Sequence, residues 1–206
     1  MQRKDWAARV DGLVVFRGLL SAAPFAALRT ALAADAADLT GAVAAFESTL
    51  FLQGTNWTEV LLDAVLEAGL YAPSAMNNQG TVMVAVRDRE TRDLLSRMNA
   101  AVMGADRDPF YGAPCVIVVL ADPEKGTWVE DGSLVMGNLM NAASALGLGS
   151  CWIHRAQPMF DSPEGKELLK QWGLPQTMKG VANCILGYPD EQPAPKPRAE
   201  GRIRKV

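Results

Sequence analysis

The sequence predicts an α/β or α+β sandwich, in which helices cover both faces of a buried β-sheet. Short runs of almost only apolar residues are typical of strands that are covered on both faces. Stretches with apolar residues at helical spacing separate these runs. The chain has 206 residues, of which 49% are hydrophobic and 21% charged, and this composition suits one globular domain with a sizeable core.

Two parts of the chain differ in pattern. Residues 1–56 are rich in alanine, the strongest helix former, and carry no motif that indicates a chemistry. Residues 57–206 are strongly patterned throughout. We therefore expect a divergent N-terminal segment, either a covering helix or a disordered tail, followed by one folded domain over residues 57–206.

The first half of this domain is predicted to alternate between helix and strand. An apolar stripe over residues 58–70 predicts a helix, which ends before Pro73 because a residue preceding proline leaves the helical region. Residues 81–86 form a nearly all-apolar strand, residues 89–101 a helix, and residues 115–121 a second buried strand.

The second half continues the alternation. A helix over residues 131–146 is slim, because glycine and alanine occupy many of its positions. Residues 150–153 and 181–186 are predicted strands. Between them, Ser162 is the expected N-cap of a helix over residues 163–172.

The charge balance is mildly acidic, with 20 Lys and Arg against 23 Asp and Glu. Such a chain has no basic surface of the kind that nucleic acid requires. No apolar run is long enough to span a bilayer, and Asp5, Asp11 and Arg17 interrupt what would otherwise resemble a secretion signal. We expect a cytoplasmic protein that binds neither nucleic acid nor membrane.

The cysteines and the single histidine argue against a metal site. His154 cannot form a two-histidine motif, and Cys115, Cys151 and Cys184 contain no C-x-x-C pair. All three cysteines stand among apolar residues. We expect them to be buried thiols in a reducing compartment.

A polar loop over residues 72–79 lies between a helix and a buried strand. It contains Ser74, Asn77, Asn78 and Gln79, all neutral hydrogen-bonding residues. Such residues can simply close a turn by bonding their own backbone. Alternatively, their carboxamides could converge on a flat heteroaromatic ring, which presents donors and acceptors in alternation.

Residues 146–155 place two glycines between a helix and a strand. They lack the third glycine and the preceding strand of a dinucleotide fingerprint, so a plain turn is the simpler interpretation. His154 follows at the strand end, either as a structural hydrogen-bonding residue or facing a substrate. Any hydrolase chemistry would have to use it, and we consider this the least favoured reading.

The C-terminal segment gathers cations among prolines. Lys196 and Arg198 project the same way in an extended chain, which suits a phosphate, whereas a solvated tail is the alternative. Residues 202–206 form a possible edge strand.

In their order along the chain, these segments resemble the nitroreductase family. The carrying motifs are APSAMNNQ after the LLDAVLEAG helix, DPFYGAP before VIVVL, DGSLVMGNLMNAASALGLGSCWIHR and LGYPDEQPAPKPR. The resemblance covers residues 57–206. It implies an α+β fold with a mostly antiparallel central sheet flanked by helices, in a homodimer whose C-terminal extensions reach the partner subunit.

The resemblance also implies FMN as the cofactor and assigns its ligands by position. The loop would contact the isoalloxazine and ribityl groups, the strand end would lie beside the central ring, and the late cations would hold the phosphate. The residues so assigned are Ser74, Asn77, Gln79, Trp152, Ile153, His154, Arg155, Lys196 and Arg198.

Two residues are candidates for the substrate side. The backbone N–H of His154 would donate to flavin N5, and its side chain would orient substrate or donate a proton. Tyr111, in a predicted loop, would form a wall of the substrate pocket. The slim helix over residues 131–146, with Leu134 on its buried side, is the expected dimer contact.

The implied function is electron transfer from NADH or NADPH to a small organic acceptor. In this ping-pong scheme the nicotinamide delivers hydride to flavin N5 and departs, and a nitroaromatic, quinone or enone takes its place. The alternative is a degenerate flavin-fold protein that binds a small ligand without turnover.

One departure from the family motivates that alternative. Relatives carry an Arg-Ser-x-Arg segment near their N-terminus, whereas residues 47–53 contain Ser48 but no arginine. Losing one charge-assisted phosphate contact costs about 1.5–3 kcal/mol. We therefore expect weaker FMN binding, or support from Arg17 or Arg29. Residues 80–81 also read Gly-Thr where many relatives have Pro-Trp.

Overall fold

The computed structural model describes residues 57–191 and 193–205. The expectations for residues 1–56, including Arg17, Arg29 and Ser48, lie outside the described residues. The elements in chain order are α1 (Trp57–Leu70), β1 (Thr81–Val86), α2 (Arg89–Met103), β2 (Cys115–Ala121), α3 (Trp128–Ala145), β3 (Gly149–Ile153), α4 (Ala156–Asp161), α5 (Pro163–Gln171) and β4 (Lys179–Gly187).

The four strands form one antiparallel sheet in the order β1–β2–β4–β3. At one end, Ala121 of β2 lies opposite both Thr81 of β1 and Lys179 of β4. At the other end, Cys115 pairs with Leu186. One end of the sheet therefore carries the start of β1, the end of β2, the start of β4 and the end of β3. We call this end of the sheet the site edge. The predicted antiparallel sheet is confirmed.

Helices cover both faces of the sheet. Ile117 and Val119 of β2 face α1 and α3, whereas Val116 and Val118 face α2, α4 and α5. All seven residues of β2 are buried, because each side chain meets a helix on one face or the other. Complete burial of each such side chain contributes about 1.5–3 kcal/mol, and this explains the uninterrupted apolar run.

The slim composition of α3 brings it close to the sheet. A Cβ at Gly132 would lie 2.5 Å from Val181 Cγ2, so no larger residue fits between α3 and β4. Ala142 and Ala143 are fully buried further along the same face. The helix can therefore lie across the sheet with its first turn at the site edge.

Three expectations from the sequence are wrong. Leu134 is 46% exposed, because it lies about 100° around the helix from the buried Val135. Cys151 is exposed although the other two cysteines are buried, since β3 is an edge strand that the helices cover only in part. Residues 202–205 form no strand and pair with none of the described strands.

The segment after β3 contains one helix that the sequence did not reveal. α4 is only six residues long and contains Pro158, so it lacks a readable apolar period. The following cap is confirmed, since Ser162 Oγ accepts a hydrogen bond of 3.1 Å from the Gly165 N–H. No helix within residues 57–191 combines the length and the apolar character needed to cross a bilayer.

Asp108 organises the loop before β2. Its carboxylate accepts hydrogen bonds from Ser96 Oγ (2.5 Å), Arg92 Nη2 (2.6 Å) and the N–H groups of Phe110 (2.9 Å) and Gly112 (2.7 Å). Partial burial raises the pKa of Asp108, but these hydrogen bonds outweigh it and lower the pKa from 3.8 to about 2. Arg92 also lies 5.6 Å from the Phe110 ring centroid.

We expect Asp108→Asn to lower the free energy of unfolding by about 1.5–3 kcal/mol at pH 7, the range for hydrogen bonds to a charged group. The folded-state pKa is depressed, so this contribution is complete above pH 4 and is lost as the pH falls toward about 2. Urea unfolding of the wild type and Asp108→Asn between pH 7 and pH 2.5 measures how the difference between their free energies of unfolding narrows. The exposed Asp106→Asn is the control, and a difference that stays constant with pH would contradict the assignment.

Candidate functional site

The site edge gathers two of the three segments that the sequence singled out. The polar loop of residues 74–79 leads directly into the start of β1, and residues 152–155 form the end of β3. β1 and β3 are the two outer strands, so the segments lie on opposite flanks of the sheet at the same end. The first turn of α3 reaches both, since Asp131 bonds the loop and Trp128 lines a cavity together with Trp152, His154 and Arg155.

The loop is tightly wound and closed by its own side chains. Met76, Asn77 and Gln79 all have positive φ, at 52°, 55° and 49°. The Gln79 N–H donates to Ser74 Oγ at 3.0 Å, and Gln79 Nε2 donates to Asn77 Oδ1 at 3.0 Å. Asn77, Asn78 and Gln79 are nevertheless exposed. The loop therefore presents carboxamides on a backbone that holds unusual dihedral angles.

Asp131 fastens this loop to α3. It is 4% exposed, and its Oδ1 accepts the Ala75 N–H at 3.0 Å while its Oδ2 accepts from Thr127 Oγ1 at 3.2 Å. A buried carboxylate requires such donors, because an unpaired one would be costly to desolvate. Asp131 thus positions the loop without having been predicted to do so.

The end of β3 is held in a comparable way by Asn99 of α2. Asn99 is fully buried; its Nδ2 donates to the His154 carbonyl at 2.8 Å and its Oδ1 accepts from Arg155 Nε at 2.9 Å. Arg155 has a φ of 76°, the left-handed region that a non-glycine residue enters only when its surroundings hold it there. Asn99 supplies that restraint.

A cavity of about 140 Å³ opens beside this strand end. Two tryptophans and two potentially cationic side chains, those of His154 and Arg155, stand on its wall. The lining residues are Trp128, Val129, Trp152, His154, Arg155, Gln157, Pro158, Gly180 and Val181. His154 is exposed, Trp152 and Arg155 are half-buried, and Ile153 points into the core between the sheet and α4.

Tyr111 lies at the opposite end of the sheet. It stands four residues before Cys115, in the loop that Asp108 holds against α2, with a φ of 53° and 73% exposure. The ends of a seven-residue strand such as β2 are about 20 Å apart. Tyr111 can therefore wall a cavity at the site edge only from a second copy of the chain.

No contact among the described residues brings Lys196 and Arg198 to the site edge. The segment after β4 leaves from the far end of the sheet, where Gly187 pairs with Gly149, and its described residues are exposed. Within residues 57–191 and 193–205, neither cation forms an ion pair or a hydrogen bond. Their assignment to a phosphate stays a prediction.

Sequence reasoning thus found the carboxamide loop and the strand end but missed the residues that position them. Asp131 and Asn99 each interrupt an apolar helical stripe, beside the buried Val135 and Met98. A polar residue inside such a stripe indicates a buried hydrogen-bond partner. The partner itself lies 56 positions away in both cases and could not be read from the sequence.

Comparison with known proteins places this geometry in context. The Nitroreductase family profile matches residues 96–188. A protein from Archaeoglobus fulgidus named "Putative NADH dehydrogenase/NAD(P)H nitroreductase" is 32% identical over 137 residues, which are 64% of this chain and 74% of that protein. A protein of the same name from Methanothermobacter thermautotrophicus is 32% identical over 140 residues, 66% of this chain and 69% of its own.

A solved structure extends the likeness to the fold. The nitroreductase from Bacteroides fragilis, crystallised with bound FMN, superposes with a TM-score of 0.65 at 28% identity. The match covers 71% of this chain and 86% of that one. The α+β fold expected from the sequence motifs is confirmed.

Proposed function

Because this chain belongs to the nitroreductase family, we propose that it is an FMN-dependent oxidoreductase that takes electrons from NADH or NADPH. The observation that carries the proposal is the pair of restrained segments at the site edge, one bearing carboxamides and one bearing His154 and Arg155. Both are anchored by buried polar residues to neighbouring helices. Such anchoring suits a site that must hold a rigid ring in a fixed place.

The residues present fit FMN by the chemistry of their donors. Asn77 and Gln79 offer the neutral donors and acceptors that the edge of an isoalloxazine needs, and Lys196 and Arg198 offer charge for its phosphate. The 140 Å³ cavity is too small to enclose FMN, since sites for a molecule of this size usually measure about 300–1,000 Å³. In this proposal the cavity takes the acceptor, and the flavin lies between the carboxamide loop and the strand end, with further enclosure from outside the described part of this chain.

Bound FMN would supply the redox chemistry by accepting a hydride from the nicotinamide and passing electrons to the acceptor. The chain's own residues bind and orient. Ser74, Asn77 and Gln79 hold the ring and ribityl chain, the backbone N–H of His154 donates toward flavin N5, and Trp152 and Ile153 fix that strand end.

The proposed mechanism is a ping-pong cycle in which a nitroaromatic, quinone or enone is the electron acceptor. His154 is exposed at the cavity, where its side chain can orient an acceptor or donate a proton to it. One pocket serves both reactants in turn.

Absorbance of the purified protein tests this function first. We expect flavin bands in the visible spectrum, followed by NADH or NADPH oxidation when a quinone is added. A colourless protein that ignores added FMN would favour the degenerate flavin-fold alternative, which the missing arginines in residues 47–53 motivate.

The active unit is a homodimer in this proposal. Leu134, Gly137 and Asn141 share one exposed face of α3, and a Cβ at Gly137 would meet nothing within 4 Å. This slim, partly apolar face suits close contact with a second copy. A second copy would also explain how Tyr111 and the C-terminal cations reach a site edge.

We expect Gly137→Glu to separate the dimer while the subunit stays folded. A Cβ at this position meets no atom of the described residues within 4 Å and the change improves helix propensity, but it buries an unpaired charge in the proposed contact. Breaking an interface this way costs about 3–5 kcal/mol, which raises the dissociation constant on the order of 10²–10⁴-fold. Analytical ultracentrifugation measures the state, with Gly126→Glu, also in open space, as the control. A dimer that persists in the Gly137 variant would place the contact elsewhere.

A further inference from the structure

Arg155 is a half-buried cation for which the described part of the chain supplies no carboxylate. Arg87, Arg92 and Lys179 each have a carboxylate oxygen within 3 Å. Within residues 57–191 and 193–205, Arg155 forms no such pair. The one hydrogen bond of its side chain there is from Nε to the neutral Asn99 Oδ1.

The guanidinium is held in a defined position. Asn99 is fully buried and bonds both the His154 carbonyl and Arg155 Nε, at 2.8 and 2.9 Å. With Nε engaged, both terminal nitrogens are left with no acceptor among the described residues. A guanidinium fixed in this way loses little further freedom when it binds an anion, and its fork matches a carboxylate.

The adjoining cavity has the size of one aromatic ring. Its volume of about 140 Å³ is close to that of an apolar cavity of about 150 Å³ known to bind benzene. Trp128 and Trp152 lie on its wall beside Arg155, and none of the nine described residues that line it is acidic. None of these nine side chains therefore neutralises Arg155 or repels an incoming anion.

We infer that this cavity selects electron acceptors made of a single aromatic ring with a carboxylate, which Arg155 binds through its terminal nitrogens. Arg155 is then a specificity-determining residue. The inference rests on the proposed oxidoreductase function for its role in turnover, but the anion site itself does not depend on bound flavin.

Calorimetry with benzoate and its uncharged analogue benzamide tests the site directly. We expect the wild-type protein to bind benzoate roughly ten- to a hundredfold more tightly, the range for a charge-assisted contact. Arg155→Gln, which keeps a donor for Asn99, should remove this preference, and Arg155→Lys should retain part of it. Arg97→Gln, an exposed arginine on α2, is the matched control and should leave the preference unchanged.

Turnover provides the second measurement. In the presence of NADH, 4-nitrobenzoate and 4-nitrobenzamide are compared, where each NADH with one proton reduces a nitro group to nitroso and releases water. We expect KM for 4-nitrobenzoate to be about tenfold lower than KM for 4-nitrobenzamide in the wild type, and the two values to converge in Arg155→Gln.

Each result decides a separate question. Equal binding of benzoate and benzamide by the wild type would overturn the inference whether or not any variant folds. Loss of FMN from Arg155→Gln with an unchanged acceptor preference would assign Arg155 to the cofactor and equally overturn it. Absence of both NADH and NADPH oxidation with every acceptor would defeat the proposed function, while the calorimetry would still decide the anion site.

Discussion

The double variant Lys196→Ala, Arg198→Ala is expected to lose FMN affinity by at least a hundredfold while its fold remains intact. Each charge-assisted contact with a phosphate contributes about 1.5–3 kcal/mol, so removing two lowers affinity on the order of 10²–10⁴-fold. The fold is spared because both residues are exposed and bond none of the described residues. Fluorescence titration of the apoprotein with FMN measures the change, and thermal unfolding of the apoprotein checks the fold.

A matched control separates a phosphate contact from a general charge effect. Arg202→Ala with Lys205→Ala removes the same two charges from the same exposed segment. This control should leave FMN affinity within about threefold, because solvated charges at a distance are screened by salt. Equal losses in both double variants, or full flavin retention in the first, would remove Lys196 and Arg198 from the phosphate site.

Gly180→Ala is expected to disturb both stability and the site through a single methyl group. A Cβ at this position would lie 2.8 Å from Ala156 Cβ and nearer still to the Ala156 carbonyl oxygen. These atoms begin α4, immediately after Arg155, so β4 and the turn that presents Arg155 must move apart. Overpacking of this kind costs about 1–3 kcal/mol of unfolding free energy.

Denaturant unfolding measures the first effect, and benzoate calorimetry measures the second. We expect the displaced turn to weaken benzoate binding together with the loss of stability. Gly126→Ala is the control, because a Cβ there meets no atom within 4 Å. Unchanged stability in the Gly180 variant would mean that β4 and α4 are not in the close contact described.

The sequence was sufficient for most of the fold because the sheet is buried on both faces. β2 reads as a continuous apolar run and the core of β4 as an apolar run interrupted by Asn183, and the bounds of both strands lie within two residues of those predicted. The start of α3 was predicted three residues late, since Asp131 resembles a helix cap. Its carboxylate instead reaches back to Thr127 and across to Ala75.

The site was predictable only as far as local sequence determines it. Positive φ angles at Met76, Asn77 and Gln79 follow from a short polar loop that local hydrogen bonds close. The anchoring by Asn99 is a tertiary contact, so no window of sequence contains both partners. In the proposed dimer the positions of Tyr111 and Arg198 relative to the site would depend on a second copy of the chain, and neither spacing nor composition specifies such an arrangement.

In the proposed homodimer, helix α3 would make assembly and ligand occupancy thermodynamically reciprocal. Asp131 holds the carboxamide loop, Trp128 lines the cavity, and the face with Leu134 and Gly137 is the proposed contact between copies. If FMN binds the dimer more tightly than the separate subunits, bound FMN favours dimerisation by the same free energy. Dilution of the protein would then release FMN, and saturating FMN would oppose dissociation of the dimer. The apparent affinity for FMN would therefore depend on the protein concentration.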